Sequence, residues 1–130
     1  MELTHEQRGW LLQAQRDEIT GHHVYRKLAA RLPQGENRRT LEKIADQEMA
    51  HYSKFKKLTG EEVAPNWGAV NWYILLSRVL GFTFAVKLME QGEEKAQVFY
   101  AKIAEIIPDI HKVIAEEDEH EDKLLEMLDE

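Results

Sequence analysis

Residues 44–55 read Ile44-Ala45-Asp46-Gln47-Glu48-Met49-Ala50-His51-Tyr52-Ser53-Lys54-Phe55, and the spacing within them decides the fold. Ile44 and Phe55 recur at a helical interval, and the two positions between them on the same face are Glu48 and His51. The same arrangement returns near the end of the chain. There Ile110, Val113 and Ile114 lead to Leu124, and Glu117 and His120 fill the gap. Both segments are amphipathic helices whose apolar face should point into a core, and both place an acid and an imidazole in the middle of that face.

Working outward, the first helix begins near Thr4, where Thr4 and Gln7 have the spacing of a capping box. Its stripe runs through Leu11, Ala14, Gly21, Tyr25, Leu28 and Leu32, and Pro33-Gln34-Gly35 ends it. The second helix spans Glu36 to Thr59 on Leu41, Ile44, Ala45, Phe55 and Leu58, with Gly60 as its C-cap. Residues 60–81 form a long connection carrying Pro65 and Gly68, with a short helix expected from Asn71 to Leu80. The third main helix is read from Phe82 to Ala104 on Val86, Met89, Ala96, Tyr100 and Ile103. The fourth is read from Pro108, a favourable first-turn residue, to Leu128, closing its stripe with Met127 or Leu128. Glu18 stands on the first stripe between Ala14 and Tyr25, and Glu93 on the third between Met89 and Tyr100.

The composition agrees with an all-α chain. Three prolines and seven glycines in 130 residues leave helices little interrupted, and Ala, Leu, Glu and Lys lose little rotamer freedom in them. The length suits a single domain over 1–130. A net charge of −7 speaks against nucleic acid as a partner and against an anionic membrane surface. The absence of cysteine excludes disulfides, thiolate zinc sites, Cys-ligated iron–sulfur clusters and cysteine nucleophiles. No early apolar run follows basic residues, and no stretch of about 18 residues lacks charge, so neither a leader nor a membrane span is expected and the location is read as cytoplasmic.

An internal repeat links the two halves. A shift of 75 residues carries Glu18, Tyr25, Lys27, Ala29 and Pro33 onto Glu93, Tyr100, Lys102, Ala104 and Pro108. Neither the Glu nor the Tyr of the repeated Glu-x6-Tyr is required to make a helix. In a helical hairpin, residues at one level lie equally far from the turn. The point midway between Glu18 and Glu48 is Pro33, and that between Glu93 and Glu117 is Glu105, so both pairs are expected to meet across a hairpin.

A buried carboxylate costs several kcal/mol unless something compensates it. Four at one level repel one another, and no basic residue shares their stripes, so metal ions are the natural counter-charge, with each imidazole a neutral ligand. The i, i+3 spacing brings carboxylate and imidazole onto one helical face. Glu-x-x-His alone is a weak signal. With six histidines and eighteen glutamates the spacing arises easily by chance, and a third copy, Glu2…His5, lies at the N-terminus without a stripe and is read as surface. The set of six is what carries weight: one Glu from each of two helices and Glu-x-x-His from each of two others, the arrangement of di-iron carboxylate bundles.

At Glu18, Glu48-Met49-Ala50-His51, Gly92-Glu93 and Glu117-Asp118-Glu119-His120, with Tyr25 and Tyr100, the chain resembles the ferritin-like di-iron carboxylate proteins. It is most similar to rubrerythrin and to the rubrerythrin-like domain fused to some vacuolar-type iron transporters. The resemblance implies an antiparallel four-helix bundle with a long crossover between helices two and three, a homodimer, and two iron ions, with manganese as an alternative to one of them. Glu48 and Glu117 would bridge the metals, His51 and His120 would each cap one, and Glu18 and Glu93 would be terminal ligands. Two departures stand out. Rubrerythrin carries a four-cysteine rubredoxin-like domain, so electrons would here come from a separate donor. Its further helix-three Glu corresponds to Ala96, leaving Glu90 as a candidate extra ligand or as a solvated side chain.

Tyr25 and Tyr100 lie two turns beyond Glu18 and Glu93, placed either to hydrogen-bond the carboxylates or simply to fill the core. His22 is read as surface, Trp67 and Trp72 as covering the helices or a dimer contact, and Glu116, Asp118, Glu119 and Glu121 as a solvated acidic face. Three functions stay open: peroxidase- or ferroxidase-type redox chemistry on Fe(II), a non-catalytic iron sensor, storage or delivery module, and a polar core without metal.

Overall fold

The computed structural model describes residues 2–128, and every regular element among them is an α-helix. These are α1 (His5–Ala30), α2 (Glu36–Thr59), α3 (Trp67–Leu80), α4 (Phe82–Ile106) and α5 (Ile110–Leu128). The chain divides into two compact units, Met1–Ile74 and Leu75–Glu130, with α3 running through the division. No helix among the described residues is long and apolar enough to cross a membrane.

The first unit is built on the antiparallel hairpin of α1 and α2. The capping box forms as expected: Gln7 N–H donates to Thr4 Oγ1 and Thr4 N–H to Gln7 Oε1, each at 3.0 Å. Helix α1 stops at Ala30, short of Leu32, because Leu32 precedes Pro33 and the proline ring disfavours helical geometry there. Gly60 takes φ +72° and donates to the Lys56 carbonyl at 2.8 Å, a left-handed C-cap that a Cβ would strain.

A buried polar knot fixes the register at the open end of the hairpin. Thr59 Oγ1 donates to Gln15 Oε1 at 2.7 Å, Gln15 Nε2 donates to the Glu61 carbonyl at 2.7 Å, and Glu61 N–H donates back to Thr59 Oγ1 at 3.3 Å. The Arg8 guanidinium donates to the Thr59 carbonyl at 2.8 Å and pairs with the Glu61 carboxylate. Nearer the turn, Arg26 pairs with Asp46. The apolar layer of this hairpin is Leu11, Ala14, Leu28, Leu41, Ala45 and Phe55, all buried. Leu58, expected in that layer, is 39% exposed, because it falls a step to the side of the Leu41–Ile44–Phe55 line.

The connection after Gly60 runs back along this hairpin. Val63 N–H donates to the Tyr52 hydroxyl, Asn66 N–H to Thr20 Oγ1, and the Trp67 ring lies against His23 at 4.6 Å. Helix α3 then opens at Trp67, four residues before the expected Asn71. Asn66 caps it, its side-chain carbonyl accepting from Ala69 N–H at 3.0 Å.

In the second unit, α4 follows Gly81, whose φ of +95° allows the chain to change direction after α3. Helix α4 extends to Ile106, two residues past the expected Ala104, and closes with Ile107 N–H on the Ile103 carbonyl. Pro108 lies in the turn rather than in the next helix: its carbonyl accepts from His111 N–H, and α5 begins at Ile110. The two helices run antiparallel, with Gln97 Nε2 donating to Glu121 Oε1 at 3.3 Å. Val86, Met89, Tyr100, Ile103, Ile110, Val113 and Leu124 are buried.

Phe55 is fully buried whereas Val98 is 74% exposed, so the two should respond differently to truncation. Phe55→Ala should lower unfolding free energy by about 3–5 kcal/mol in urea denaturation, and Val98→Ala by under about 0.5 kcal/mol.

Candidate metal-binding groups

Each unit gathers two carboxylates and one imidazole. In the first, α1 presents Glu18 and α2 presents Glu48 and His51, one helical turn apart on the same face. They are 1%, 5% and 3% exposed, and a ligand atom from each lies within 4.8 Å of the others. His51 Nδ1 stands 3.4 Å from Glu18 Oε2. In the second unit, α4 presents Glu93 and α5 presents Glu117 and His120, all buried and gathered within the same 4.8 Å. His120 Nδ1 lies 3.7 Å from Glu93 Oε1 and 3.9 Å from Glu117 Oε1.

The donor set suits a cation. Two oxygen or nitrogen donors each about 2.1 Å from a common ion stand about 3–4 Å apart, the range seen here. No lysine or arginine is buried among the described residues, so no protein cation is buried beside these carboxylates. Carboxylate oxygens and imidazole nitrogens, with no thiolate, suit iron or manganese better than a soft metal.

Burial has an electrostatic consequence in the second unit. Removal from water pushes the Glu93 carboxyl up to about 8; the neighbouring Glu117 pushes it the same way, and His120 opposes both. Near neutrality and without metal, Glu93 therefore tends to hold a proton.

The remaining candidates fall elsewhere. Glu90 gathers with Glu94 and Glu121 in a partly exposed acidic group, where a hydrogen bond with Glu121 is the main cause raising its pKa. Tyr25 and Tyr100 are buried on α1 and α4, Tyr100 against Phe99 at 5.7 Å between ring centres. His22 is half-buried and its Nδ1 donates to the Ala45 carbonyl at 2.7 Å, which ties α1 to α2. Trp67 covers His23 and lies under the Lys27 ammonium, and Trp72 is 57% exposed. Glu2 and His5 are exposed, as the missing stripe implied. Sequence reasoning took Gly21 only as a small member of the α1 stripe, yet its Cα faces the Glu48 carboxylate across the hairpin. The signal available was a glycine in mid-helix, three residues after Glu18, where alanine is the better helix former.

Compared with known proteins, the chain matches no family model, no curated protein and no solved structure.

The raised Glu93 pKa sets a sign for the metal-free protein. The folded state holds this proton more tightly than the unfolded chain between about pH 4.5 and about pH 8. Its contribution to stability is therefore full below about pH 4.5 and is lost as pH rises towards 8. Urea midpoints of the metal-free protein should fall across that window, and Glu93→Gln should flatten the fall.

Proposed function

We propose that this is a ferritin-like, rubrerythrin-like di-iron carboxylate protein, with the antiparallel four-helix bundle that this class implies. Glu18, Glu48, His51, Glu93, Glu117 and His120 would hold two iron ions, which would supply redox chemistry towards peroxide or dioxygen. The observation that carries the reading is the doubled triad: in each unit two buried carboxylates and one imidazole bring ligand atoms within 4.8 Å of one another. The repeat of Glu18 and Tyr25 as Glu93 and Tyr100, and the resemblance at the Glu-x-x-His pairs, support it further.

Two ferrous ions, when bound, supply one electron each, so that hydrogen peroxide and two protons become two waters, or dioxygen and two protons become peroxide. The residues prepare for this. Four carboxylates supply negative charge matched to a cation pair whose positive charge grows on oxidation, and two imidazoles complete the donor set without adding charge. Burial excludes bulk water and strengthens each of these interactions. Glu93, protonated near neutrality when the protein is empty, releases its proton as a cation arrives, so binding tightens as pH rises. With no cysteine in the chain, a separate donor returns the electrons. A homodimer belongs to the same proposal, on the resemblance alone.

Anaerobic titration of the metal-free protein should reach about two Fe(II) per chain. Addition of peroxide should then raise ferric absorbance promptly. Glu48→Ala and Glu117→Ala should each abolish the two-ion stoichiometry while leaving the helical circular dichroism in place. Slow oxidation of two bound ions would favour a sensor, storage or delivery role, and no specific binding would sink the metal reading.

A further inference from the structure

Three glycines lie within long helices, Gly9 and Gly21 in α1 and Gly92 in α4. A Cβ added at Gly9 or Gly92 would meet nothing within 4 Å. At Gly21 it would stand 2.7 Å from Glu48 Oε2, 3.6 Å from Cδ and 3.9 Å from Cγ. The Glu48 carboxylate thus occupies the space that any other residue's Cβ would fill. Gly21 follows Glu18 by three residues, so the two share a face of α1, and the Glu18 and Glu48 carboxylates are held against one stretch of that helix.

We infer that Gly21 is a positioning residue for Glu48: by lacking a side chain it lets the carboxylate lie against the α1 backbone, and so sets where that oxygen is presented to a metal. The role as a ligand-positioning residue rests on the proposed function, while the close approach of Gly21 and Glu48 does not. The atom in the way is the far end of a flexible side chain, so the fold can accommodate a methyl at position 21 by swinging the carboxylate aside. That movement costs the fold little. It removes a ligand oxygen from its place, which costs metal binding much more. A glycine kept merely for want of pressure on the helix would show no such split, because alanine is the better helix former.

The test compares Gly21→Ala with Gly9→Ala in the full chain, using Co(II) as the probe because its visible absorption reports ligand geometry. Metal-free Gly21→Ala should keep its helical circular dichroism, bind Co(II) about 10–100-fold more weakly than the parent and show a shifted absorption band. Gly9→Ala should bind as the parent does. Parent-like affinity and spectrum in Gly21→Ala would overturn the inference. A second comparison needs no metal: thermal unfolding of the parent, Gly21→Ala, Glu48→Ala and the double variant. The glycine-to-alanine change should raise the unfolding temperature more in the Glu48→Ala background than in the parent. The same comparison covers a poorly folding Gly21→Ala, whose fold should be recovered in the double variant. Equal effects in both backgrounds, or no recovery, would show that Gly21 is not there for Glu48. If the parent itself takes up no Co(II), the metal reading fails, and the unfolding comparison still decides the relation between the two residues.

Discussion

Carboxylates taken out of water inside a pair of helices constrain everything packed around them. The loss of hydration costs several kcal/mol per ion, and in each unit two glutamates bear it side by side. No lysine or arginine is buried among the described residues, so an imidazole, protonation or a cation can supply the counter-charge inside. The raised pKa of Glu93 is the protonation route in operation: without a cation nearby, burial and a neighbouring carboxylate favour the neutral acid. The same geometry that makes this costly makes a cation welcome, because within each unit the donors already converge.

Convergence depends on hairpins that do not slip. A shift of one residue along a helix would turn Glu48 or Glu117 by about 100° away from its partners. In the first unit, the Gln15–Thr59–Glu61 knot and Arg8 lock the open end, while Arg26–Asp46 and the His22–Ala45 bond lock the part nearer the turn. Glu18, Glu48 and His51 lie between these fixed points. The polar ties specify register, and the apolar layer of Leu11, Leu41 and Phe55 supplies the burial that makes the register worth specifying.

Much of this was legible in the residues. The capping box at Thr4, the helix Glu36–Thr59 and its Gly60 cap follow from local chemistry, and the structure has them where local chemistry puts them. The burial of all six Glu and His residues follows from their place on apolar stripes. The misreadings also have local causes. Asn66 capped α3 earlier than the hydrophobic pattern indicated. Pro108 was used in a turn where it could equally have opened a helix. Glu90, left open between an extra ligand and a solvated side chain, gathers with Glu94 and Glu121 in a partly exposed group, and a one-turn step along α4 does not reveal that.

The sequence by itself determined where the long helices would lie to within a few residues, the main line of their apolar faces, and that acids and imidazoles would be buried on those faces, because helical periodicity is a local property of the chain. Only the tertiary structure decided how near the groups on neighbouring helices come. The 3.4 Å between His51 and Glu18, the displaced Glu93 pKa and the absence of room for a Cβ at Gly21 all depend on the separation and rotation of two helices. Those quantities are set by side chains that interlock across the hairpin, and no spacing along one strand of sequence encodes them.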